Sequence, residues 1–196
     1  MRILVALLIC LLSCDSDVPT ENNEKSYDEV YKTVWTYIKE KKFDKATTEI
    51  AVLEGIPGGT KEQKAKIYDA KGWVLYLQGN GEKTDSKYAN AMKQFKDAIG
   101  QYGLEDSHAG IAILGHLLSD YDASVQSGSE MISKTSYVHS NGVDGINYKN
   151  AILNAAWSAF LNKNLQDAKR FVKKISNESW IDSMSEQHFL NLLKKL

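Results

Sequence analysis

The chain has 196 residues, 24 basic and 25 acidic side chains, a formal charge of −1 and 43% hydrophobic residues. This balance excludes a basic nucleic-acid footprint and an acidic tail, and the length suffices for one domain with a real core. Both cysteines, Cys10 and Cys14, fall within the first fourteen residues, so the rest of the chain has no thiol for a disulfide, a thiolate metal site or a nucleophile.

Arg2 is followed by the ten-residue apolar run Ile3–Leu12, about half the roughly 20 residues that a membrane-spanning helix needs. A basic residue, a short apolar run and a small residue, Ser13, form the layout of an export signal. Leu11-Leu12-Ser13-Cys14 resembles the bacterial lipobox, although Leu12 is bulkier than the residue usually found there. The resemblance implies a signal peptide over residues 1–13 and lipidation of Cys14, which becomes the new N-terminus. A diacylglyceryl cysteine supplies two acyl chains, whereas one gives only marginal membrane binding. An ordinary signal peptide with incidental cysteines and a retained membrane helix are the other readings. Residues 14–26 are polar after the cysteine, contain Pro19 and show no apolar period, so they read as a flexible tether. Asp15 resembles the inner-membrane retention signal of enterobacterial lipoproteins; that rule does not transfer across phyla, and inner and outer membranes both stay open. Loss of Arg2 with the signal takes the formal charge from −1 to −2.

Residues 27–196 read as helices throughout. Only two prolines occur in the whole chain, and apolar residues recur three and four positions apart. Four stretches superpose. The first is Val34-Trp35-x-Tyr37 followed by Phe43-x-x-Ala46-x3-Ile50-x2-Leu53. The second is Gly72-Trp73-x-Leu75, Gly79 and Tyr88-x-x-Ala91-x3-Phe95-x2-Ala98. The third is Ala112-Ile113-x-Gly115 with Tyr121-x-x-Ser124-x3-Gly128-x2-Met131. The fourth is Ala156-Trp157-x-Ala159 with Leu165-x-x-Ala168-x3-Val172-x2-Ile175. The small residue of the first helix recurs at 34, 72, 112 and 156.

This pattern resembles the tetratricopeptide repeat (TPR), a helix-turn-helix with small and aromatic residues at these places. The resemblance covers roughly residues 26–178 and implies an all-α, TPR-like α-solenoid of about four antiparallel helix hairpins. Small residues at helix crossings let backbones approach, and stacked units bury what one hairpin cannot. The third unit departs at Gly128, where a large apolar residue is expected, and the fourth lacks the turn glycine. Within 184–196, Met184, Phe189, Leu190, Leu192, Leu193 and Leu196 share one broad face, which predicts a C-terminal capping helix started by Ser183 or Ser185. An irregular helical bundle of unrelated type is the alternative fold.

The chemistry-bearing residues form no catalytic constellation. The histidines, His108, His116, His139 and His188, make no i, i+4 pair and no H-E-x-x-H motif. His108 and His116 are too far apart on one helix to share a metal. "GNGE" at 79–82 follows no strand and reads as a hairpin loop. Glu105-Asp106 reads as a helix start favoured by the dipole. The expectation is therefore neither an enzyme nor a carrier of a metal or cofactor.

A tryptophan follows the small residue three times. In the TPR family these positions and those one turn away face a concave groove and contact peptides. The resemblance thus implies a partner groove lined by Tyr31, Trp35, Ile38, Asp69, Trp73, Tyr76, Ile113, His116, Leu153, Trp157 and Phe160. Trp and Tyr are frequent binding anchors. The same stripe also reads as core, or as a groove filled by the chain itself, with Trp180-Ile181 and the terminal helix as the candidates to fill it. The family's carboxylate clamp is not matched, since only Lys32 and Asn154 could serve. The resulting expectation is a scaffold or adaptor anchored in the bacterial cell envelope through Cys14, with its domain facing the periplasm or the exterior. It would bind an envelope protein partner through a hydrophobic segment. The alternative is a periplasmic small-molecule or lipid-binding lipoprotein associated with a transporter.

Overall fold

The computed structural model describes residues 25–82, 85–133, 139–143, 146–176 and 178–196. Cys14, the signal and the tether as far as residue 24 lie outside the described residues. Among those described, the fold is all-α, with nine α-helices, one 3₁₀ turn and no strand. No helix among them is long and apolar enough to cross a membrane.

The helices pack in consecutive pairs: α1 (Tyr27–Lys39) on α2 (Phe43–Gly55), α3 (Lys61–Glu82) on α4 (Asp85–Gln101), α5 (Glu105–Leu117) on α6 (Tyr121–Met131), and α7 (Tyr148–Leu161) on α8 (Leu165–Ser176). Each pair also touches the next, through α2 on α3, α4 on α5 and α6 on α7, and the first helices touch in turn, α1 on α3, α3 on α5 and α5 on α7. The 3₁₀ turn (Ser179–Ser183) and α9 (Glu186–Leu193) lie on α8. Ser185 caps α9 by accepting the His188 N–H, and Ser26 and Glu29 make a reciprocal capping box on α1.

Three of the pairs turn in the same way. Lys41, Ser119 and Lys163 take φ of 56°, 59° and 60°, and their N–H groups donate to the carbonyls of Ile38, His116 and Phe160 at 3.0, 3.2 and 3.0 Å. A left-handed residue at a helix end is usually glycine. Lys163 takes that place in the last pair, so the absence of a turn glycine there does not prevent the turn.

Equivalent positions of the four stretches are buried: Val34, Gly72, Ala112 and Ala156 on the first helices, and Ala46, Ala91, Ser124 and Ala168 on the second. The fully buried Phe95 of α4 is wedged between two glycines. A Cβ on Gly72 would lie 2.5 Å from its Cε1, and one on Gly110 would lie 2.5 Å from its Cε2. The departure at Gly128 has a packing reason: a Cβ there would come within 2.3 Å of the Ala155 Cβ and 3.3 Å of the Phe171 ring. Glycine lets α6 approach α7, and Phe171 from α8 supplies the bulk. The expected loop at 79–82 is instead the last turn of α3. Gly79 is helical and buried because the Tyr88 ring lies where its side chain would be, at 2.7 Å, and the Tyr88 hydroxyl donates to Asn80 Oδ1 at 2.8 Å.

Candidate functional site

The predicted stripe runs along α1, α3, α5 and α7, but it is not uniformly open. Ile38, Asp69 and Ile113 are buried, as are Trp35 and Trp73, which are 3% and 0% exposed. Tyr31, Tyr76, His116, Leu153, Trp157 and Phe160 are half-buried. What covers the first end is the turn His139–Gly142 in the connection between α6 and α7. It is closed by the Gly142 N–H donating to the His139 carbonyl at 2.8 Å, with Gly142 at φ 67°. The His139 ring stands edge-to-face against Trp35 and Trp73, with centroids 5.0 and 4.7 Å away. The C-terminal segment does not fill this end. Trp180 is exposed, and its indole N–H donates to Glu178 at 2.6 Å. Ile181 and Phe189 are buried where the 3₁₀ turn and α9 pack on α8.

Beneath the turn lies a polar cluster. Asp69 on α3 accepts the Ser107 hydroxyl at 2.7 Å. Asp106 on α5 accepts the Ser140 N–H at 3.1 Å and also the Ser140 hydroxyl. His139 Nδ1 lies 4.0 Å from Asp106 Oδ2 and accepts the Asn141 N–H at 3.2 Å, while its Nε2 has no hydrogen-bond partner among the described residues. The Asn141 side chain reaches the Tyr31 hydroxyl at 3.4 Å, tying the turn to α1. One ligand atom from each of Asp69, Asp106 and His139 lies within 4.8 Å of the other two, and all three residues are buried. Asp106 is thus not merely a dipole-favoured residue at a helix start: it is buried and receives the turn.

Electrostatics follow from burial. Desolvation, and then the nearby Asp106, push the Asp69 carboxyl well above the usual carboxylate range, against the opposing effects of Ser107 and Trp73. The Trp73 indole N–H is close enough to act on Asp69 but falls outside hydrogen-bond geometry. Burial lowers the pKa of His139, opposed by Asp106, and so favours the neutral ring. Two carboxyl groups and a neutral imidazole in this arrangement can share a proton or hold a cation.

The other end of the stripe is built differently. Trp157 and Phe160 on α7 meet edge-to-face at 6.4 Å, and Phe160 lies 6.0 Å from Phe189 of α9. His116 Nδ1 is 3.3 Å from the Ser158 hydroxyl, which donates to Ser124 at 2.9 Å, which in turn donates to the Ala112 carbonyl at 2.7 Å. Burial lowers the His116 pKa. This relay joins α5, α6 and α7.

Ser107, His139, Ser140 and Asn141 were not among the sequence-derived site residues. Their signal was weak: Ser-Asn-Gly at 140–142 marks a turn, but nothing local says that the turn folds back onto α1, α3 and α5. No family model, curated protein or solved structure matches this chain.

Proposed function

We propose that the chain is a TPR-like, lipid-anchored adaptor of the bacterial cell envelope. Residues 1–13 direct export, Cys14 carries the anchor, and residues 14–26 tether a helical-repeat domain that receives a hydrophobic segment of an envelope protein. The helix pairs, their recurring left-handed turns and the small-residue crossings support the repeat reading. The observation that carries partner binding is the half-buried apolar run Leu153, Trp157 and Phe160, with exposed Leu161 beside it. Spaced four and three residues apart, the first three share one helix face, and such a face accepts an extended or helical apolar segment. The reading assigns no catalytic step and no cofactor.

The test is photo-crosslinking in a bacterial host of the full chain, with a benzophenone amino acid at Trp157 or Phe160 and a control at exposed Val52. Protein adducts of defined mass from 157 and 160, absent at 52, are expected. Lipid or small-molecule adducts would replace the adaptor with the transporter-associated carrier. No adduct beyond the control would overturn the groove. Cys14→Ser is expected to move the protein from the membrane to the soluble fraction.

A further inference from the structure

We propose that Asp69, Asp106 and His139 form a buried site for one zinc-like first-row divalent cation, which fastens the 139–143 turn onto α3 and α5. The proposal stands whether or not the stripe binds a partner. Three separate elements bring the donors together, and their ligand atoms all lie within 4.8 Å of one another. In a tetrahedral zinc site with bonds of about 2.0–2.2 Å, ligand atoms sit roughly 3.4 Å apart. The separation therefore closes with a movement on the order of 1 Å, within reach of a turn held at one end by Asn141.

The donor set selects the metal class. One imidazole with two carboxylates suits zinc, manganese or ferrous iron, whereas calcium and magnesium favour all-oxygen shells. Outer partners are already in place, with the Ser107 hydroxyl on Asp69 and the Ser140 N–H on Asp106. Such partners orient ligating carboxylates. A further sign comes from the imidazole, which is 2% exposed and whose Nε2 has no hydrogen-bond partner among the described residues. A buried polar atom left unpaired is costly, and a metal ion would give this ring a partner.

The experiment uses the full, untagged chain in detergent, stripped with EDTA and titrated with Zn²⁺. Calorimetry and the fluorescence of Trp35 and Trp73 report binding, and elemental analysis reports stoichiometry. One tight equivalent per chain is expected. Asp69→Asn, Asp106→Asn and His139→Gln should each weaken it by more than about 100-fold, beyond the 10–100-fold loss typical of an outer partner. His188→Gln, at an exposed histidine, should leave it unchanged. Because substitution of a buried group can unfold a protein, zinc-edge X-ray absorption on the unmodified chain is the second readout. It should show one imidazole nitrogen and carboxylate oxygens at about 2.0–2.2 Å. Absence of stoichiometric binding, full binding in folded His139→Gln, or a shell without imidazole would each overturn the site. Displacement of zinc by millimolar Mg²⁺ would overturn the assignment of metal class.

Discussion

The Phe95 wedge gives a prediction whose sign runs against ordinary helix propensity. Glycine inside a helix costs about 1 kcal/mol relative to alanine, so Gly→Ala on a helix should stabilise unless space forbids it. At Gly72 and Gly110 space does forbid it. The new Cβ atoms would lie 2.5 Å from opposite edges of the same ring, on Cε1 and Cε2. The ring therefore cannot retreat from one without pressing on the other. Overpacking costs roughly 1–3 kcal/mol, which leaves each substitution about 1 kcal/mol unfavourable after the propensity gain. The pair should exceed the sum of the singles, because neighbours sharing one contact are not additive. Gly100, on α4 with no atom of the described residues within 4 Å of the place a Cβ would take, is the control and should gain up to about 1 kcal/mol on Gly100→Ala. For a domain of this size 1 kcal/mol moves Tm by roughly 2–4 °C. Thermal unfolding followed by circular dichroism should show Tm falling for Gly72→Ala and Gly110→Ala and rising for Gly100→Ala. Phe95→Leu should recover stability in the double-alanine background while destabilising the parent. A double-alanine protein as stable as the parent would refute the reasoning. The wedge also bears on the polar cluster, since Gly72 and Gly110 lie one turn beyond Asp69 and Asp106, and splaying α3 from α5 would stretch the Asp69–Ser107 bond.

Three further outcomes are expected. Asp69→Asn, measured in EDTA, should stabilise the protein increasingly as pH rises above the ordinary carboxylate range. The folded state holds the Asp69 proton more tightly than the unfolded chain, so that stabilisation is complete below the ordinary carboxylate range and is lost as pH rises through the folded value; urea titrations that give a pH-independent difference would contradict this. Lys163→Gly should raise Tm by about 2–4 °C, because a left-handed lysine costs on the order of 1 kcal/mol; a fall in Tm would mean that the lysine side chain contributes more than its backbone strain costs. Ser26→Ala removes the side-chain half of the capping box on α1, leaving the backbone N–H of residue 26 on the Glu29 carboxylate, and should lower stability by about 1 kcal/mol, read as a lower urea midpoint with an unchanged slope.

The helical pairing and the buried small positions could be read from the sequence because each depends on spacing within some forty residues. Gly72 and Phe95 stand at the small and large places of the second stretch, and the structure puts the ring against that glycine. The reach of α3 could not be read that way: Gly79 and Gly81 look like loop residues until Tyr88 is seen to occupy the space beside Gly79. Gly128 looked like a defect because the bulk that covers it, Phe171, comes from another helix. The polar cluster was hidden for the same reason. Asp69 appeared in the stripe, but its neighbours Asp106 and His139 lie far off in sequence and share no local motif. Asp106 in particular had a sufficient local explanation as a helix-start residue, and only its burial shows that it does something else.

A linear stack of helix pairs leans only on its neighbours, so it can fray from either end, one unit at a time. The hydrogen bond from Asn141 to Tyr31 spans 110 positions, and with the His139 ring against Trp35 and Trp73 it connects the first pair to the connection before the last. Closing a loop of that length is entropically slow to be rewarded, so the turn should dock late, after the pairs have formed. Once docked, it ties α1, α3 and α5 to one joint, so the first pair cannot peel away without breaking the Asn141–Tyr31 bond and the His139 ring contacts.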